Sequence, residues 1–399
     1  MERSIERSTE DSPRSGIVRL TTLRKLILSI HRYLGLALAG FLVIAGVTGS
    51  ILSFYTEFDA WLNPALYHIG QRGQAALSAG QLVAAVEAWD ERIRVTYLPI
   101  AATPRRAAVV YVEAVSNPAT GLPFDVPFDE VFINPVTAEV KGARLWGECC
   151  GRENAVPMMH KLHNRLFLPL SIGRPLWGCV AILWTVMAVI GLVLSWPWAR
   201  AWKLKRGLPF LPMVVQLHRA TGLWFWLVIL PIAVSGVALG LERQVFLPLV
   251  SLLSPTGETA GVQTIQVEGA TDQQAGRDGG ISFDMAIRQA ERHVQSLGIK
   301  ASPTAIAYAH DTRTYQVDFG DRDAAGLATG NVFIAAAGGA VTGDTLAGKR
   351  SFADVVSAER ERLHSGRIAG LPGRILVFLC GWAVALLSVT GVTLWWKRR

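Results

Sequence analysis

The motif His31-Arg32-Tyr33-Leu34-Gly35 opens a long apolar run, and the chain repeats it as His218-Arg219-Ala220-Thr221-Gly222 before another apolar run. From each histidine, the run reaches a Val-Thr-Gly or Val-Ser-Gly triplet at the same distance along the chain. A polar side chain in a membrane segment is costly and indicates a function by default. Two copies of the same histidine predict one ligand that both of them bind.

The composition is that of an integral membrane protein. Of the 399 residues, 51% are hydrophobic and 13 are Trp, and the mean hydropathy is +0.32. A helix needs roughly 18 or more apolar residues to cross a bilayer. Four segments meet that length: residues 34–54, 176–196, 223–241 and 375–396. The two long polar segments between them are expected to fold outside the membrane.

Lys and Arg residues near the spans predict the orientation. They cluster before the first span, between the second and third spans, and at the C-terminus. Cytoplasmic loops carry such an excess, so both termini are predicted to be cytoplasmic and both polar segments periplasmic. The first span lacks a small-residue cleavage site and is predicted to be a retained signal anchor. The net charge of +8 follows from this topology. We therefore expect a multi-pass protein of a bacterial inner membrane that contacts lipid and does not bind nucleic acid.

Each polar segment is predicted to form a small α+β domain. In the first, a helix at residues 78–89 precedes strand-like runs at 92–99, 107–115 and 130–133. The second repeats this plan, with a helix at 282–294, strands at 305–309, 315–319 and 331–335, and loops at 257–280 and 320–330.

The predicted fold is an α-helical membrane protein with four transmembrane helices and two periplasmic α+β domains. Its divisions are cytoplasmic tail 1–26, first membrane helix 27–55, first periplasmic domain 56–173, second helix 174–198, basic cytoplasmic loop 199–216, third helix 217–241, second periplasmic domain 242–370, and fourth helix with the cytoplasmic end 371–399.

The two halves of the chain predict an internal duplication. The triplet Val-Phe-Ile at 131–133 recurs 201 residues later, and Leu162-His163 recurs at the same distance as Leu363-His364. Gly191 and Gly391 are 200 residues apart. Self-similarity at a fixed spacing is the signature of repeated structural units. Each half is therefore predicted to contain a membrane helix, an outside domain and a second membrane helix.

Four of the eight histidines occupy matching positions in this repeat. His31 and His218 lie at the cytoplasmic ends of the first and third spans, whereas His163 and His364 precede the outer ends of the second and fourth. Neutral imidazole is an axial ligand of haem iron, and facing helices can supply one on each side of the porphyrin. We therefore predict two haems b, the inner one bound by His31 and His218 and the outer one by His163 and His364. One unmatched histidine would not support this, because it would more often be a helix cap.

Two alternatives stay open at these sites. His160 lies one helical turn before His163 and could replace it as the outer ligand, donate a proton or contact a substrate. The second half has Glu361 at the matching position. Zinc is the weaker alternative to haem, because structural zinc sites favour four Cys or His ligands at short spacing. Three further histidines in the polar segments are predicted to be ordinary surface or core residues: His68, His293 and His310.

Four arginines are candidates for pairing with haem propionates, because a guanidinium binds a carboxylate through two parallel hydrogen bonds. They are Arg32 and Arg219, which follow the inner histidines, and Arg174 and Arg374, at the outer starts of the second and fourth spans. The alternative is that they only lie at the membrane interface. Glycines such as Gly35 and Gly222 would leave room either for a porphyrin or for close helix packing.

The cysteines carry a less specific signal. Cys149 and Cys150 are adjacent in the first polar segment. In an oxidising compartment they could form a disulfide with each other or with another chain. A redox or metal-capture role is the less favoured alternative. Cys179 and Cys380 fall within the second and fourth spans and are predicted to be small packing residues.

Together these motifs resemble the PepSY-associated transmembrane family. The resemblance rests on His-Arg-x-x-Gly with its apolar run, on Asn63-Pro64, on Val131-Phe-Ile-Asn-Pro, on the two Leu-His pairs, and on the closing Thr390-Gly391-Val-Thr-Leu-Trp-Trp-Lys-Arg. It covers nearly the whole chain after residue 20. Members often accompany iron uptake and include di-haem ferric-siderophore reductases of the FoxB type. The resemblance implies PepSY-like outer domains and haem ligands at His31, His163, His218 and His364.

The predicted function is transmembrane electron transfer by an oxidoreductase. An unidentified cytoplasmic donor would reduce the inner haem, the electron would pass to the outer haem, and a ferric siderophore in the periplasm would be reduced and release its iron. The sequence has no Rossmann glycine motif or P-loop, so a flavin or nicotinamide site is not expected. The alternatives are a di-haem carrier with another acceptor, such as quinone or copper, and a non-enzymatic membrane protein whose PepSY-like domains bind a periplasmic partner or protease.

Overall fold

The computed structural model describes residues 12–70, 74–101, 104–253, 280–320, 330–346 and 351–397. Most of the two predicted loops, at 257–279 and 321–329, lies outside the described residues, as do residues 1–11 of the predicted tail. The chain divides into two compact units. The bundle unit falls within Met1–Ser50, Leu168–Leu241 and Leu376–Arg399, and the sheet unit within Ile51–Phe167 and Glu242–Ile375.

The described residues form twelve α-helices and eight β-strands, each numbered in chain order. The helices are α1 (Ser12–Leu52), α2 (Tyr55–Leu62), α3 (Pro64–Tyr67), α4 (Ala79–Trp89), α5 (Ala155–Arg165), α6 (Leu170–Leu194), α7 (Trp198–Ala201), α8 (Phe210–Gly240), α9 (Leu247–Leu253), α10 (Phe283–Ser296), α11 (Phe352–His364) and α12 (Gly370–Trp396). The strands are β1 (Ile93–Pro99), β2 (Ala108–Ala114), β3 (Glu130–Ile133), β4 (Val140–Arg144), β5 (Pro303–Ala309), β6 (Thr314–Phe319), β7 (Gly330–Ala335) and β8 (Val341–Asp344).

The four predicted spans are confirmed as helices that are long and apolar enough to cross a membrane. The qualifying segments are Thr22–Leu52, Leu170–Leu194, Phe210–Gly240 and Arg367–Trp396, with mean hydropathies of 2.1 to 2.3. Helix α1 already begins at Ser12, within the predicted tail at 1–26. A hydropathy pattern marks only the apolar part of a helix, so the start at Ser12 was not predicted.

Glycines bring the helices of the bundle unit close together. A Cβ atom added at Gly240 of α8 would lie 2.6 Å from the backbone of Gly178 in α6. Gly46 of α1 and Gly381 of α12 make the same kind of backbone contact. Small residues permit such close approach between membrane helices. Among them lies an apolar core of Leu38, Leu42, Val180, Ile229, Cys380 and Val384.

The predicted packing role is supported for one of the two span cysteines. Cys380 is buried in the core of the bundle unit, whereas Cys179 is exposed.

The strands form one antiparallel sheet in the order β4-β3-β2-β1-β5-β6-β7-β8. The two polar segments therefore share a sheet, whereas two separate domains were predicted. Strands β1 and β5 join the halves, with Leu98 opposite Ile306. Without this pairing, β1 and β5 would each be an edge strand with a row of unpaired backbone groups. The residue pattern of one polar segment does not show that its edge strand pairs with a strand of the other segment. Strands β4 and β8 were also not predicted.

Helices α4 and α10 pack on this sheet in one apolar core. Both begin where the sequence predicts, since the Ser78 side chain accepts a hydrogen bond from Gln81 N and that of Ser282 accepts one from Met285 N. The helix starts are also linked to each other. Ser78 Oγ donates to Asp284 Oδ2 at 2.7 Å, and Gly80 N donates to Asp284 Oδ1 at 2.9 Å.

A buried ionic network stabilises the first half of the sheet unit. The Arg144 guanidinium donates to both carboxylate oxygens of Asp59, at 2.8 and 3.1 Å, and to Glu130 at 2.7 Å. Tyr67 and Asn63 also donate to Asp59. Burial raises the pKa of Glu130. Burial also opposes the charge on Arg144, but the two carboxylates outweigh this effect and raise its pKa.

Candidate functional site

The bundle unit brings together the first predicted histidine pair, which we call the bundle pair. His31 lies in α1, and His218 lies in α8 about two turns after its start at Phe210. Their ring centroids are 6.3 Å apart and the ring planes are nearly perpendicular, at 82°. Both side chains are partly buried. The structure therefore brings these two imidazoles together with nearly perpendicular ring planes, although they are 187 positions apart in the sequence.

A cavity of about 280 Å³ adjoins the bundle pair. This is close to the lower end of the range for small-molecule pockets, about 300–1,000 Å³. The lining residues come from both halves of the chain in matched pairs, at separations of 187 or 200 positions. Among them are His31 and His218, Arg32 and Arg219, Gly35 and Gly222, Gly191 and Gly391, Leu28 and Val215, Leu42 and Ile229, Trp184 and Val384, and Met187 and Leu387.

Two of these glycines give the histidine rings their space. A Cβ atom at Gly191 would lie 3.3 Å from Cε1 of His31, and one at Gly391 would lie 3.6 Å from Cε1 of His218. Each ring thus packs against a glycine of the neighbouring helix. The sequence shows these two glycines only as markers of the repeat. Their place beside the histidines was not predicted.

The polar contacts of the two rings differ. Nδ1 of His218 is hydrogen-bonded to Oγ1 of Thr390 at 2.9 Å. Nδ1 of His31 is buried and has no hydrogen-bond partner among the described residues. Thr390 was not predicted as a site residue, because a threonine in an apolar helix gives no such signal.

The cavity also receives two of the predicted arginines. Arg219 donates through NH2 to the Ser195 carbonyl at 3.1 Å, and its buried Nε has no partner in the described part of the chain. Arg32 lines the cavity as well and is exposed. A donor without an acceptor beside a cavity is suited to an anionic group of a ligand.

The sheet unit brings together the second predicted pair, which we call the helix-end pair. His163 lies in the last turn of α5, and His364 is the last residue of α11. Their ring centroids are 6.1 Å apart, with an angle of 55° between the planes. Both side chains are partly buried.

His160 lies in a different environment from the helix-end pair. Its ring packs edge-on against Trp146, with centroids 5.3 Å apart, and against Tyr55, at 6.3 Å. Trp146 Nε1 donates to the Tyr55 hydroxyl at 3.2 Å, and burial raises the pKa of Tyr55. The geometry therefore favours His163 over His160 as the partner of His364.

The two outer arginines lie in different surroundings. Arg374 is buried and donates to both carboxylate oxygens of Glu57, at 2.7 and 2.8 Å, and to the Ser53 carbonyl at 2.8 Å. Its guanidinium also lies over the Phe54 ring, 4.6 Å from the centroid. These contacts account for Arg374 without a propionate. Arg174 is exposed on α6, in the bundle unit.

The remaining histidines and the paired cysteines have local roles. His293 lies 2.9 Å from Asp344, His310 lies 3.4 Å from Glu113, and His68 is exposed. These positions agree with ordinary surface or core roles. Cys149 and Cys150 form a disulfide in an exposed loop. It encloses no intervening residue, so it gives little of the loop-closure stabilisation of a longer cross-link.

Both histidine pairs have a ring separation close to that of two imidazoles bound to one metal ion. A zinc–imidazole bond is about 2.0–2.1 Å long, and we take a similar length for a bond to haem iron. Two imidazoles on opposite sides of one ion would then have ring centroids roughly 6.2–6.6 Å apart. The observed separations are 6.3 Å for the bundle pair, within this range, and 6.1 Å for the helix-end pair, just below it. No group of three or more His, Cys, Asp or Glu suited to a metal ion occurs among the described residues. Two ligands without a third or fourth fit haem better than structural zinc.

Comparison with protein families supports the motif-based assignment. The model of the PepSY-associated TM region matches residues 28–398, nearly the whole chain. The chain belongs to the PepSY-associated transmembrane family. Membership in this family and the four apolar helices together identify a multi-pass membrane protein. No curated protein matches the chain.

Proposed function

We propose that this PepSY-associated membrane protein is an oxidoreductase with two haems b, which carries electrons across the bacterial inner membrane to a ferric siderophore. The observation that carries the proposal is the cavity beside His31 and His218. Its lining is contributed by matched residues of both halves of the chain. A structural histidine at a helix end needs neither a facing histidine nor an adjacent cavity.

The residues of the bundle pair would bind the cofactor and limit its chemistry. Haem held between these side chains would supply one-electron transfer, because its iron cycles between the ferric and ferrous states. If His31 and His218 both held the iron, oxygen or substrate would have little access to it, which favours electron transfer over oxygen chemistry. The apolar side chains around the cavity exclude water, and the unpaired Nε of Arg219 is placed to bind a propionate.

The helix-end pair would form the second haem site, toward the periplasm. The positive charges at the N-terminus, in the loop between α6 and α8 and at the C-terminus support an orientation with the bundle pair toward the cytoplasm. The polar segments that form the sheet unit then lie outside. A ferric siderophore is a suitable acceptor there, because ferrous iron binds hard oxygen ligands less tightly and is released.

A haem count and a reoxidation assay test this proposal. We expect purified protein to contain two haems b per chain by pyridine haemochrome, with a sharp α-band in the reduced-minus-oxidised spectrum. Protein reduced with dithionite and freed of excess reductant should be reoxidised anaerobically by a ferric siderophore. The same siderophore loaded with redox-inert gallium is the matched control and should have no effect.

The outcomes separate the proposal from its alternatives. Protein without haem would overturn it and favour a non-enzymatic membrane protein that binds a periplasmic partner. Protein with two haems that reoxidises with a quinone or copper, but with no ferric siderophore, would retain the electron carrier and replace the acceptor. Reoxidation by the gallium complex would show that the assay does not report iron reduction.

A further inference from the structure

The two sides of the bundle pair share a glycine beside the ring but differ in the residue that precedes this glycine. Each ring packs against a glycine, Gly191 for His31 and Gly391 for His218. The residue before the glycine differs, since it is Ile190 in the first half and Thr390 in the second.

The Thr390 hydroxyl has the geometry of a hydrogen-bond relay. Oγ1 lies 2.7 Å from the Leu386 carbonyl and 3.1 Å from that of Leu387, so its one hydrogen is donated to the helix backbone. The oxygen can then accept a hydrogen from Nδ1 of His218, 2.9 Å away. Thr390 is 5% exposed, so water competes little for this bond.

We propose that Thr390 is a positioning residue for His218, an inference that rests on the proposed haem function. A neutral imidazole that binds iron through Nε2 must carry its hydrogen on Nδ1. By accepting that hydrogen, Thr390 holds the ring in this tautomer and orientation and increases the electron donation of Nε2, as partners of metal-bound histidines do. Ile190 has no hydroxyl, so His31 lacks this support. His218 would thus hold the haem with the support of a hydroxyl, and His31 would hold it without one.

Substitution of Thr390 tests the inference with readouts other than activity. Thr390→Val replaces the hydroxyl by a methyl group of similar size, whereas Thr390→Ser keeps the hydroxyl. We expect T390V to lose haem to apomyoglobin about 10–100-fold more readily than the wild type, the range for lost partners of metal ligands. The midpoint potential of one haem should shift to a more positive value, because weaker donation stabilises ferric iron less. The other haem should keep its potential, and T390S should resemble the wild type.

Ile190→Thr is the matched gain-of-contact variant. A hydroxyl at this position would reach Nδ1 of His31 as Thr390 reaches that of His218. The potential of the same haem should then shift in the negative direction, opposite to the shift in T390V.

The outcomes distinguish this inference from the proposed function. Wild-type protein without haem would overturn both. Two haems in the wild type, with equal haem retention and potentials in T390V, would overturn only the role of Thr390. So would a T390S protein that behaves like T390V. Loss of both haems in T390V would indicate general misfolding. The role of Thr390 would then be decided by I190T, and an unchanged potential in I190T would overturn that role.

Discussion

The bundle pair and the helix-end pair have nearly the same separation but different surroundings. The centroid distances are 6.3 and 6.1 Å. The bundle pair adjoins a cavity lined by matched residues, and one of its rings is held by a hydroxyl. The helix-end pair comes from the last turns of two short helices, in a unit stabilised by buried charges. One histidine spacing is thus reached in two ways. In the bundle unit, glycines let the rings pack against neighbouring helices, and in the sheet unit, the ends of α5 and α11 bring the rings together.

Removal of single histidines is expected to have the largest effect and tests whether the pairs are independent. His218→Ala and His364→Ala should each remove one of two haems, because an iron with one remaining axial histidine is bound far less tightly. His160→Ala is the matched control on α5 and should retain both haems. Pyridine haemochrome counts of the purified variants check this. Loss of a haem in H160A together with full haem content in a His163→Ala variant would reverse the assignment of the helix-end ligand.

Filling the space beside one ring should have the next largest effect. Gly391→Leu would place a side chain against His218, where a Cβ atom alone lies 3.6 Å from the ring. We expect the haem of the bundle pair to be lost while that of the helix-end pair stays. Gly40→Leu is the control in α1, because a Cβ atom there meets no other atom within 4 Å. Equal haem content in G391L and G40L would show that the glycine does not make room for a ligand.

The sheet unit should be sensitive to its ionic network and the bundle pair insensitive to it. Arg144→Met leaves Asp59 and Glu130 buried without their cation, a change that typically costs about 3–5 kcal/mol of folding free energy. The sheet unit should therefore unfold at lower denaturant concentration, and the spectrum of the helix-end haem should be lost first. Lys141→Met, which removes a cation from an ion pair with the exposed Glu139 just before β4, should change little. Denaturation followed by both far-UV circular dichroism and the haem bands measures this. Simultaneous loss of both haem signals in R144M would show that the two sites are not independent.

Local patterns account for what could be predicted from the sequence. Hydropathy marked the four spans, because burial in lipid acts on each helix separately. The serine caps marked α4 and α10, because a cap bonds to the backbone of its own helix. The pairing of β1 with β5 was not predicted, since the partners Leu98 and Ile306 lie more than 200 positions apart and either strand could have been an edge.

Within the candidate site, the repeat predicted residues and the structure supplied their contacts. Both histidine pairs were predicted because each member has a counterpart at a fixed spacing. Thr390 departs from the predicted repeat, since the matching residue is Ile190, so the same argument could not find it. Arg374 follows the repeat, yet it binds Glu57, because its partner depends on the fold rather than on its position.

The smallest expected effect concerns the arginines, and it tests whether a cation acts on the bundle haem. Arg219→Gln keeps a polar side chain at the cavity but removes the charge and the buried Nε that has no partner among the described residues. A hydrogen bond to a charged group contributes about 1.5–3 kcal/mol, and Arg219 is only partly buried, so we expect at most about tenfold faster haem loss from the bundle pair. The midpoint potential of that haem should become more negative, because a cation near the iron favours the reduced state. Arg374→Gln should leave this potential unchanged, since its guanidinium is bound to Glu57. A larger effect of R374Q than of R219Q on the bundle haem would show that the cavity arginine is only an interfacial residue.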